Sequence, residues 1–333
     1  MNPKSAKRAI EHLSKRKVPT FLWGPPGIGK SSIVAQIAKD REIDFIDLRL
    51  SLLDPTDLRG IPFFNSKDET AIWAPASFLP DGTKEEGILF LDELNTAAPM
   101  VQASAYQLIL DRKIGEYTLP DGWSIIAAGN RESDRGVVFR MAAPLANRFV
   151  HLEMEASVED WQEWAKSSSI DTSIIAFISY RPDALFAFST NSDNKAFATP
   201  RTWEYVNEVL ISEPDDDLLM AMVSEAIGEE LAAAFLGFKS VASRLPDIDA
   251  IFDGKSDEVP QETSALHILC TALTMRVNED TRSQELNNLL RYTLNLPGEF
   301  AVMIVQDLRQ RDIELDYLNS WVLWIKKFNN LLH

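Results

Sequence analysis

Residues 24–31, with the sequence GPPGIGKS, constrain the fold of this chain more than any other segment. They satisfy the pattern G-x-x-x-x-G-K-[ST], in which glycines let the backbone turn around an anion so that successive N–H groups point at phosphate oxygens. A short apolar run at residues 18–23 precedes the motif, and a pattern typical of an amphipathic helix follows at residues 30–39. Because this motif binds phosphate between a strand and a helix, the sequence predicts a phosphate-binding loop beside a parallel sheet.

The motif gives specific roles to two of its side chains. Lys30 is expected to reach the β and γ phosphates of a nucleoside triphosphate, and the Ser31 hydroxyl to ligate Mg²⁺. A chance glycine-rich turn is the alternative, and the flanking strand and helix argue against it. No residue in the sequence indicates which base is bound, so both ATP and GTP remain candidates for the nucleotide. The candidate cofactor-binding residues are Gly24, Pro25, Pro26, Gly27, Ile28, Gly29, Lys30, Ser31 and Ser32.

Residues 88–93, with the sequence ILFLDE, predict the second half of the site. A buried strand would deliver Asp92 to its carboxyl end beside the phosphate loop, where a carboxylate holds Mg²⁺ through its water shell. Glu93 is one residue further on and points differently, so it is expected to orient and polarise the attacking water. The alternative is an Asp-Glu pair that caps the next element. The candidate metal ligands are therefore Ser31 and Asp92.

The apolar pattern predicts an α/β fold followed by helices. Short apolar runs alternate with helical patterns, which is typical of a parallel sheet covered on both faces. Further strands are predicted at residues 45–50, 88–91, 124–128 and 149–152, and helices at 3–17 and 99–110. Beyond residue 153 the pattern is helical, with helices predicted at 158–166, 172–179, 202–211, 216–235, 263–276, 283–294 and 313–328.

Three domains are expected from this change of pattern. They are an α/β core at residues 1–155, a helical lid at 156–250 and a helical C-terminal extension at 251–333. The polar segment 253–260, which contains Gly and Pro, is the best candidate for a linker.

Together with the two motifs, three further segments resemble a known family. Asn130 ends the predicted strand SIIAAGN, PLANRF follows at residues 144–149, and TPR stands at 199–201. In this order they resemble AAA+ ATPases, and more specifically the MoxR-like branch. Residues 110–123 resemble the hairpin that this branch places before the asparagine. The resemblance implies a P-loop NTPase core with a parallel sheet, an all-α lid, and hydrolysis of ATP with Mg²⁺.

The resemblance also implies roles for three residues beyond the motifs. Asn130 is similar to sensor 1, which positions the hydrolytic water, although a strand-end asparagine in a turn is the alternative. Arg148 resembles the arginine finger that reaches the neighbouring subunit's nucleotide, with Arg140 as the nearest competitor. Arg201 resembles sensor 2, which couples the lid to the γ-phosphate. A surface ion pair or a helix-start role is the alternative for the two arginines.

The sequence departs from the family pattern in two places. Arg131 stands where the family commonly has proline after the sensor asparagine. Residues 54–80 lie where this branch carries an insertion, which is interpreted either as a substrate-facing loop or as a segment packed on the core. Packing on the core is the commoner outcome for its aromatic residues, which are Phe63, Phe64, Trp73 and Phe78.

Charge and composition bear on the partners. Thirty-three basic and fifty acidic residues give 33 − 50 = −17, and a surface this negative repels nucleic-acid phosphates unless a local basic patch intervenes. The basic segment 4–17 is such a patch, or else a solvated helix face. No apolar stretch approaches the roughly 20 residues of a spanning helix. The one cysteine, Cys270, cannot form an internal disulfide, which favours the cytoplasm.

The function implied by the resemblance is ATP hydrolysis in a homo-oligomeric ring, a hexamer in the family, that remodels a protein client in the manner of a chaperone. A protein with a von Willebrand factor A domain is the partner that the family suggests. Two alternatives stay open: a motor or loader that acts on nucleic acid, and a nucleotide-gated assembly scaffold with slow turnover.

Overall fold

The structure, a computed structural model, describes residues 1–67, 69–134, 139–188, 195–241, 245–278 and 281–331. Contacts between Cα atoms divide these residues into two units. The first contains Met1–Asp160, and the second contains residues 161–188 and the described residues from 195 onward. The three predicted domains, with boundaries near residues 155 and 250, stay predictions.

The first unit is an α/β structure. Its strands are β1 (Thr20–Trp23), β2 (Asp44–Arg49), β3 (Ile61–Asn65), β4 (Thr70–Ala74), β5 (Gly87–Asp92), β6 (Lys113–Ile114), β7 (Tyr117–Thr118), β8 (Trp123–Gly129) and β9 (Val150–Glu153). Its helices are α1 (Pro3–Lys15), α2 (Lys30–Asp40), α3 (Pro55–Arg59), α4 (Pro99–Asp111) and α5 (Ala143–Ala146).

Five of these strands form one parallel sheet in the order β2-β5-β8-β1-β9. This confirms the predicted parallel sheet and the strands expected around residues 18–23, 45–50, 88–91, 124–128 and 149–152. Since all five strands run the same way, their carboxyl ends meet at one edge. That edge carries the phosphate loop after β1 and the acidic pair at the end of β5, with Arg49 of β2 in register with Asp92.

Apolar side chains fix the sheet between helices. Leu89 and Leu91 of β5 have no exposed surface and belong to one core cluster with Val101 and Leu108 of α4. On the opposite face of β5, Phe90 is equally buried and stacks on Phe45 at a centroid distance of 6.1 Å. Burial of each such side chain contributes about 1.5–3 kcal/mol, so the strand that delivers the acidic pair is held rigidly.

Two antiparallel hairpins accompany the sheet. The β6–β7 hairpin lies within residues 110–123, where the sequence predicted one. The β3–β4 hairpin lies within the segment at 54–80, and of the two alternatives left open there, packing on the core holds for two of the four aromatic residues and exposure for the other two. Phe63 and Phe64 are 58% and 73% exposed, whereas Phe78 packs against the core and Trp73 is partly buried.

The second unit is helical, as the sequence predicted. Beginning with the helix that spans the unit boundary, its helices are α6 (Val158–Ser167), α7 (Thr172–Tyr180), α8 (Pro200–Ile211), α9 (Asp216–Ile227), α10 (Glu229–Val241), α11 (Ile248–Phe252), α12 (Thr263–Arg276), α13 (Ser283–Thr293), α14 (Gly298–Gln310) and α15 (Asn319–Phe328). None of the described helices is both long enough and apolar enough to span a membrane.

Two helix predictions in this unit were wrong. The single helix expected at residues 216–235 is two helices, because Gly228 adopts a positive φ of 92° and ends α9. The helix expected at 313–328 begins only at Asn319, after a turn. The helices α11 and α14 were not predicted.

The polar segment at residues 253–260 is irregular, yet it is attached to the helices around it. The Tyr292 hydroxyl donates a hydrogen bond of 2.5 Å to the Glu258 carbonyl, and Val259 packs against the cluster that Leu289 and Trp324 help to form. Asn288 fixes the chain just before the segment by donating to the Phe252 carbonyl at 2.8 Å.

Candidate functional site

The phosphate loop leaves β1 and enters α2 through two glycines with positive φ. Gly27 has a φ of 78°, and Gly29, which precedes the first residue of α2, has a φ of 91°. An added Cβ at Gly24 would lie 2.5 Å from Ile28 Cδ1 and 2.8 Å from the Met154 carbonyl oxygen, so a side chain does not fit there. The loop therefore needs glycine for backbone conformation and for close approach, and it ends at a helix N-terminus that favours anions.

Lys30 joins the loop to the end of β8. Its Nζ donates to the carbonyl oxygens of Gly24 at 2.6 Å and Pro25 at 3.0 Å, and to Asn130 Oδ1 at 2.9 Å. The structure therefore brings together two residues that lie 100 positions apart in the chain. Lys30 was predicted to bind the phosphates, and the family resemblance implied that Asn130 positions the attacking water.

Asp92 lies at the carboxyl end of β5, where Oδ1 accepts a hydrogen bond of 2.9 Å from the Glu93 N–H. Burial raises the pKa of its carboxyl group and the charge of Glu93 raises it further, while that hydrogen bond, Lys30 and Arg49 act in the opposite direction. Asp47 on β2 also has a raised pKa, first through burial and then through the charge of Asp92. The site thus concentrates negative charge that a cation would stabilise.

The donor set fits Mg²⁺. A hydroxyl at Ser31 and a carboxylate at Asp92 are oxygen ligands, and Mg²⁺ is typically bound by one or two carboxylates together with phosphates and water. Among the described residues, no group of three or more His, Cys, Asp or Glu side chains has the arrangement of a metal site. A magnesium ion here would be held jointly by protein and nucleotide.

The Glu93 side chain contacts the end of β2 and the turn that follows β2. Its φ is 57°, in the left-handed region that costs a non-glycine residue about 1 kcal/mol or more. The Ser51 hydroxyl donates a hydrogen bond to Glu93 Oε2, and Arg49 Nε lies 3.8 Å from Oε1. The carboxylate expected to activate water is therefore engaged by two residues that the sequence did not single out.

Three residues next to Asp92 and Glu93 were not predicted to belong to the site, although their spacing in the sequence is a signal that could have indicated them. Asp47 and Arg49 occupy alternate positions at the end of β2, as the period of a strand predicts for side chains on one face, and Ser51 lies in the single 3₁₀ turn that follows at Leu50–Leu52. Neither the motif nor the apolar pattern reveals that β2 is paired with β5. That pairing, with Arg49 opposite Asp92, places all three beside the site.

Replacement of Ser51 by Ala is expected to raise the basal rate of ATP hydrolysis about two- to five-fold, because it removes a hydrogen bond with a net value of about 0.5–1 kcal/mol that withdraws Glu93 from water. Steady-state turnover at saturating ATP measures this effect, and Ser51→Thr, which keeps the hydroxyl, is the matched control. A fall in turnover with Ser51→Ala would mean that the hydroxyl orients Glu93 for the reaction instead.

Arg148 and the phosphate loop lie at opposite ends of the parallel strands β9 and β1. Arg148 comes two residues before β9, and Val150 at the start of β9 is in register with Thr20 at the start of β1. The loop begins four residues later at Gly24, which corresponds to about 13 Å along the strand. Arg148 is exposed, and its guanidinium makes no hydrogen bond or ion pair with the described residues. Arg140 is exposed as well.

Arg201 is the second residue of α8, in the second unit. The helix begins with a reciprocal capping box between Thr199 and Thr202, in which the Thr199 hydroxyl accepts from the Thr202 N–H at 3.1 Å. Burial raises the pKa of Glu204, and the charge of Arg201 opposes that rise. Arg201 lies at the start of a helix, as the sequence predicted, whereas the lid and the sensor role of Arg201 stay predictions.

Comparison with known proteins agrees with this geometry. Residues 19–149 match the family model of the AAA domain (dynein-related subfamily). The chain is similar to the solved structure of a variant of RuvB from Thermotoga maritima, with 18% identity, a TM-score of 0.42 and coverage of 84% of this chain and 83% of that chain. It is also similar to NtrX from Brucella abortus, with 16% identity, a TM-score of 0.42 and coverage of 81% of this chain and 67% of that chain.

Both TM-scores are low, so the fold is assigned from the strand order of the sheet and from the match to the AAA domain. The α/β part of the chain has the AAA+ P-loop NTPase fold, which confirms the predicted fold class. The AAA domain, with the phosphate loop inside it, makes the chain an ATPase.

Proposed function

We propose that this chain is a magnesium-dependent, MoxR-like AAA+ ATPase that works as a closed ring of copies, a hexamer in the family, and remodels a protein client. The catalytic part of the proposal is supported by the position of Lys30, whose ammonium lies between the loop carbonyls and the Asn130 carboxamide. Asp92 is close enough for Lys30 to lower the pKa of its carboxyl group. A cation, an amide and a carboxylate are thus brought together, and these are the groups that hydrolysis at the γ-phosphate of ATP would use.

Each of these residues has one task in an in-line attack of water on the γ-phosphate. The loop N–H groups and Lys30 bind the phosphates and neutralise their charge. Glu93 accepts the proton of the attacking water, and the Asn130 carboxamide orients that water. Ser31 and Asp92 would hold Mg²⁺, which would supply charge neutralisation at the β and γ phosphates.

The ring is supported by the place of Arg148. Arg148 precedes the amino end of β9, whereas its own phosphate loop follows the carboxyl end of the parallel strand β1, about 13 Å along β1 from the pairing of Thr20 with Val150. A guanidinium that is exposed and without a partner in the described chain is available to a neighbouring copy. Head-to-tail contact between copies closes into a ring when the rotation permits, and each copy then completes the next site. Arg201 would sense the γ-phosphate from the lid.

The nature of the client rests on charge and on the family resemblance. A net charge of −17 opposes binding to nucleic-acid phosphates, which favours a protein client, and the family resemblance suggests one with a von Willebrand factor A domain.

The proposed compartment is the cytoplasm. Cys270 is buried with a free thiol, and burial raises the pKa of that thiol to about 12. A free cysteine suits a reducing compartment.

A capture experiment tests the proposed client. Glu93→Gln protein, loaded with ATP and Mg²⁺ in extract from its own cells, is expected to retain a defined protein at stoichiometric amounts. Lys30→Ala protein is the matched control, because it lacks the cation that binds the phosphates. Capture should depend on ATP and should survive nuclease treatment. The purified client should then lose structure only with wild-type protein that is hydrolysing ATP.

Other outcomes of the same experiment would overturn the proposal. Nucleic acid in the captured material, with loss of all captured protein after nuclease, would indicate a motor or loader, and its ATPase would be stimulated by DNA at low salt. Capture that requires ATP, together with a client that keeps its structure during turnover, would indicate an assembly scaffold.

A further inference from the structure

Asn95 is a buried amide between the two halves of the site. It lies in the turn that connects β5 to α4, three positions after Asp92, and only 3% of its surface is exposed. The turn is attached to the end of β8, because the Leu94 N–H donates to the Ala128 carbonyl at 3.0 Å. Neither the phosphate motif nor the family resemblance gave Asn95 a role.

The Asn95 side chain makes both of its hydrogen bonds with the backbone of one residue. Its Nδ2 donates to the Asn130 carbonyl oxygen at 2.7 Å, and its Oδ1 accepts from the Asn130 N–H at 3.2 Å. Only this orientation of the amide satisfies both groups, since the flipped amide would set donor against donor and acceptor against acceptor. The pair resembles the exchange of hydrogen bonds between residues of neighbouring strands.

This contact occurs where the sheet ends. The pairing of β8 with β5 ends at Ala127, and its pairing with β1 ends at Gly129. Asn130 therefore lies one residue beyond the ladder, and the Asn95 amide takes the place of the missing strand neighbour. The side chain of Asn130 then accepts a hydrogen bond from Lys30 at 2.9 Å.

The backbone of β8 is shaped to admit this amide. A Cβ on Gly129 would lie 2.2 Å from Asn95 Oδ1 and 2.8 Å from its Cγ, closer than atoms approach without displacement. Glycine at this position therefore leaves the space in which the Asn95 side chain lies.

We propose that Asn95 is a positioning residue for ATP hydrolysis, which holds the backbone of Asn130 so that the Asn130 carboxamide faces the phosphate loop. The proposal rests on the role proposed above for Asn130. The amide is required because Asp offers acceptors alone, Ser offers a single hydroxyl, and Ala offers neither.

The expected effect of Asn95→Ala is a fall in kcat of about ten-fold or more, because a displacement of about 1 Å at a positioned group costs up to about 100-fold in rate. KM for ATP should stay close to wild type, since the phosphate loop and Lys30 are unchanged. Gly129→Ala would disturb the same contact from β8, because the added methyl group would displace the Asn95 amide. It should lower kcat in the same way although Asn95 is unchanged.

Asn207→Ala is the matched control. Asn207 is 4% exposed, and its Oδ1 accepts a hydrogen bond of 2.7 Å from the Asp171 N–H within the second unit. This substitution removes the same atoms from an equally buried position, so it should lower the midpoint of thermal unfolding about as much and leave kcat unchanged. The comparison separates loss of position from loss of stability.

A double-mutant cycle with Asn130→Ala decides the proposal. Support requires that Asn130→Ala and Asn95→Ala each lower kcat and that the double variant is no slower than Asn130→Ala. The proposal is overturned if the two reductions multiply, or if Asn95→Ala behaves like Asn207→Ala. Wild-type turnover by Asn130→Ala would instead overturn the role of Asn130 itself, and this outcome is seen without any change at residue 95.

Discussion

Glu93→Gln protein should bind ATP as wild type does and hydrolyse it at least about 100-fold more slowly, because a positioned general base contributes about 10²–10⁴-fold. The amide keeps the size of the side chain and can still accept from the Ser51 hydroxyl, so the local structure should persist. What it loses is the capacity to accept a proton from water. Single-turnover hydrolysis and equilibrium binding of ATP, measured on the same preparation, separate the two steps.

Lys30→Ala is the contrasting variant for this prediction. It removes the ammonium that now lies 2.9 Å from Asn130 Oδ1, and it should lose nucleotide binding as well as turnover. Undiminished hydrolysis by Glu93→Gln would refute the assignment of the base. In that case Asp47, whose pKa is raised by burial and by Asp92, is the neighbouring carboxylate to replace next.

The parts of this structure that could be predicted from sequence are those that local chemistry determines. The phosphate loop needs glycines at fixed positions, and residues 88–91 of β5 form an uncharged apolar run because helices cover both faces of the strand. The positions of Lys30 at the start of α2 and of Asp92 at the end of β5 could therefore be predicted from motif and order alone. The helix start at Arg201 was predicted from the family resemblance, and Pro200 together with the Thr199 cap is the local chemistry that explains it.

The parts that could not be predicted depend on pairing between distant segments. Asn95 contacts Asn130 because β5 and β8 are neighbours in the sheet. Ser51 contacts Glu93 because β2 and β5 are also neighbours. An asparagine in a turn and a serine after a strand are ordinary residues when each is considered alone. The exposure of Phe63 and Phe64 could not be predicted for a related reason, since an apolar residue in a sequence carries no sign of whether anything packs on it.

Arg148→Ala should bind ATP and lose turnover by about 10³-fold or more, the range attributed to an arginine finger that stabilises transition-state charge. Arg148 lies at the amino end of the edge strand β9, away from its own loop, so the loss should occur at the neighbour's site. Arg148→Lys keeps the charge without the planar fork and should remain impaired. Arg140→Ala, the control at the competing arginine, should keep most of its activity.

Mixing two inactive variants tests whether Arg148 acts between copies. An Arg148→Ala subunit retains its acidic pair, and a Glu93→Gln subunit retains its finger, so a site that combines them is complete. In a random equal mixture about one quarter of all interfaces have this combination (½ × ½), provided the copies assemble head to tail. ATPase activity should therefore appear on mixing, reach at most about a quarter of the wild-type value, and be absent when the subunits are prevented from exchanging. If mixed assemblies of confirmed composition stay inactive, Arg148 does not complete a neighbour's site, and the case for a ring built on that contact fails.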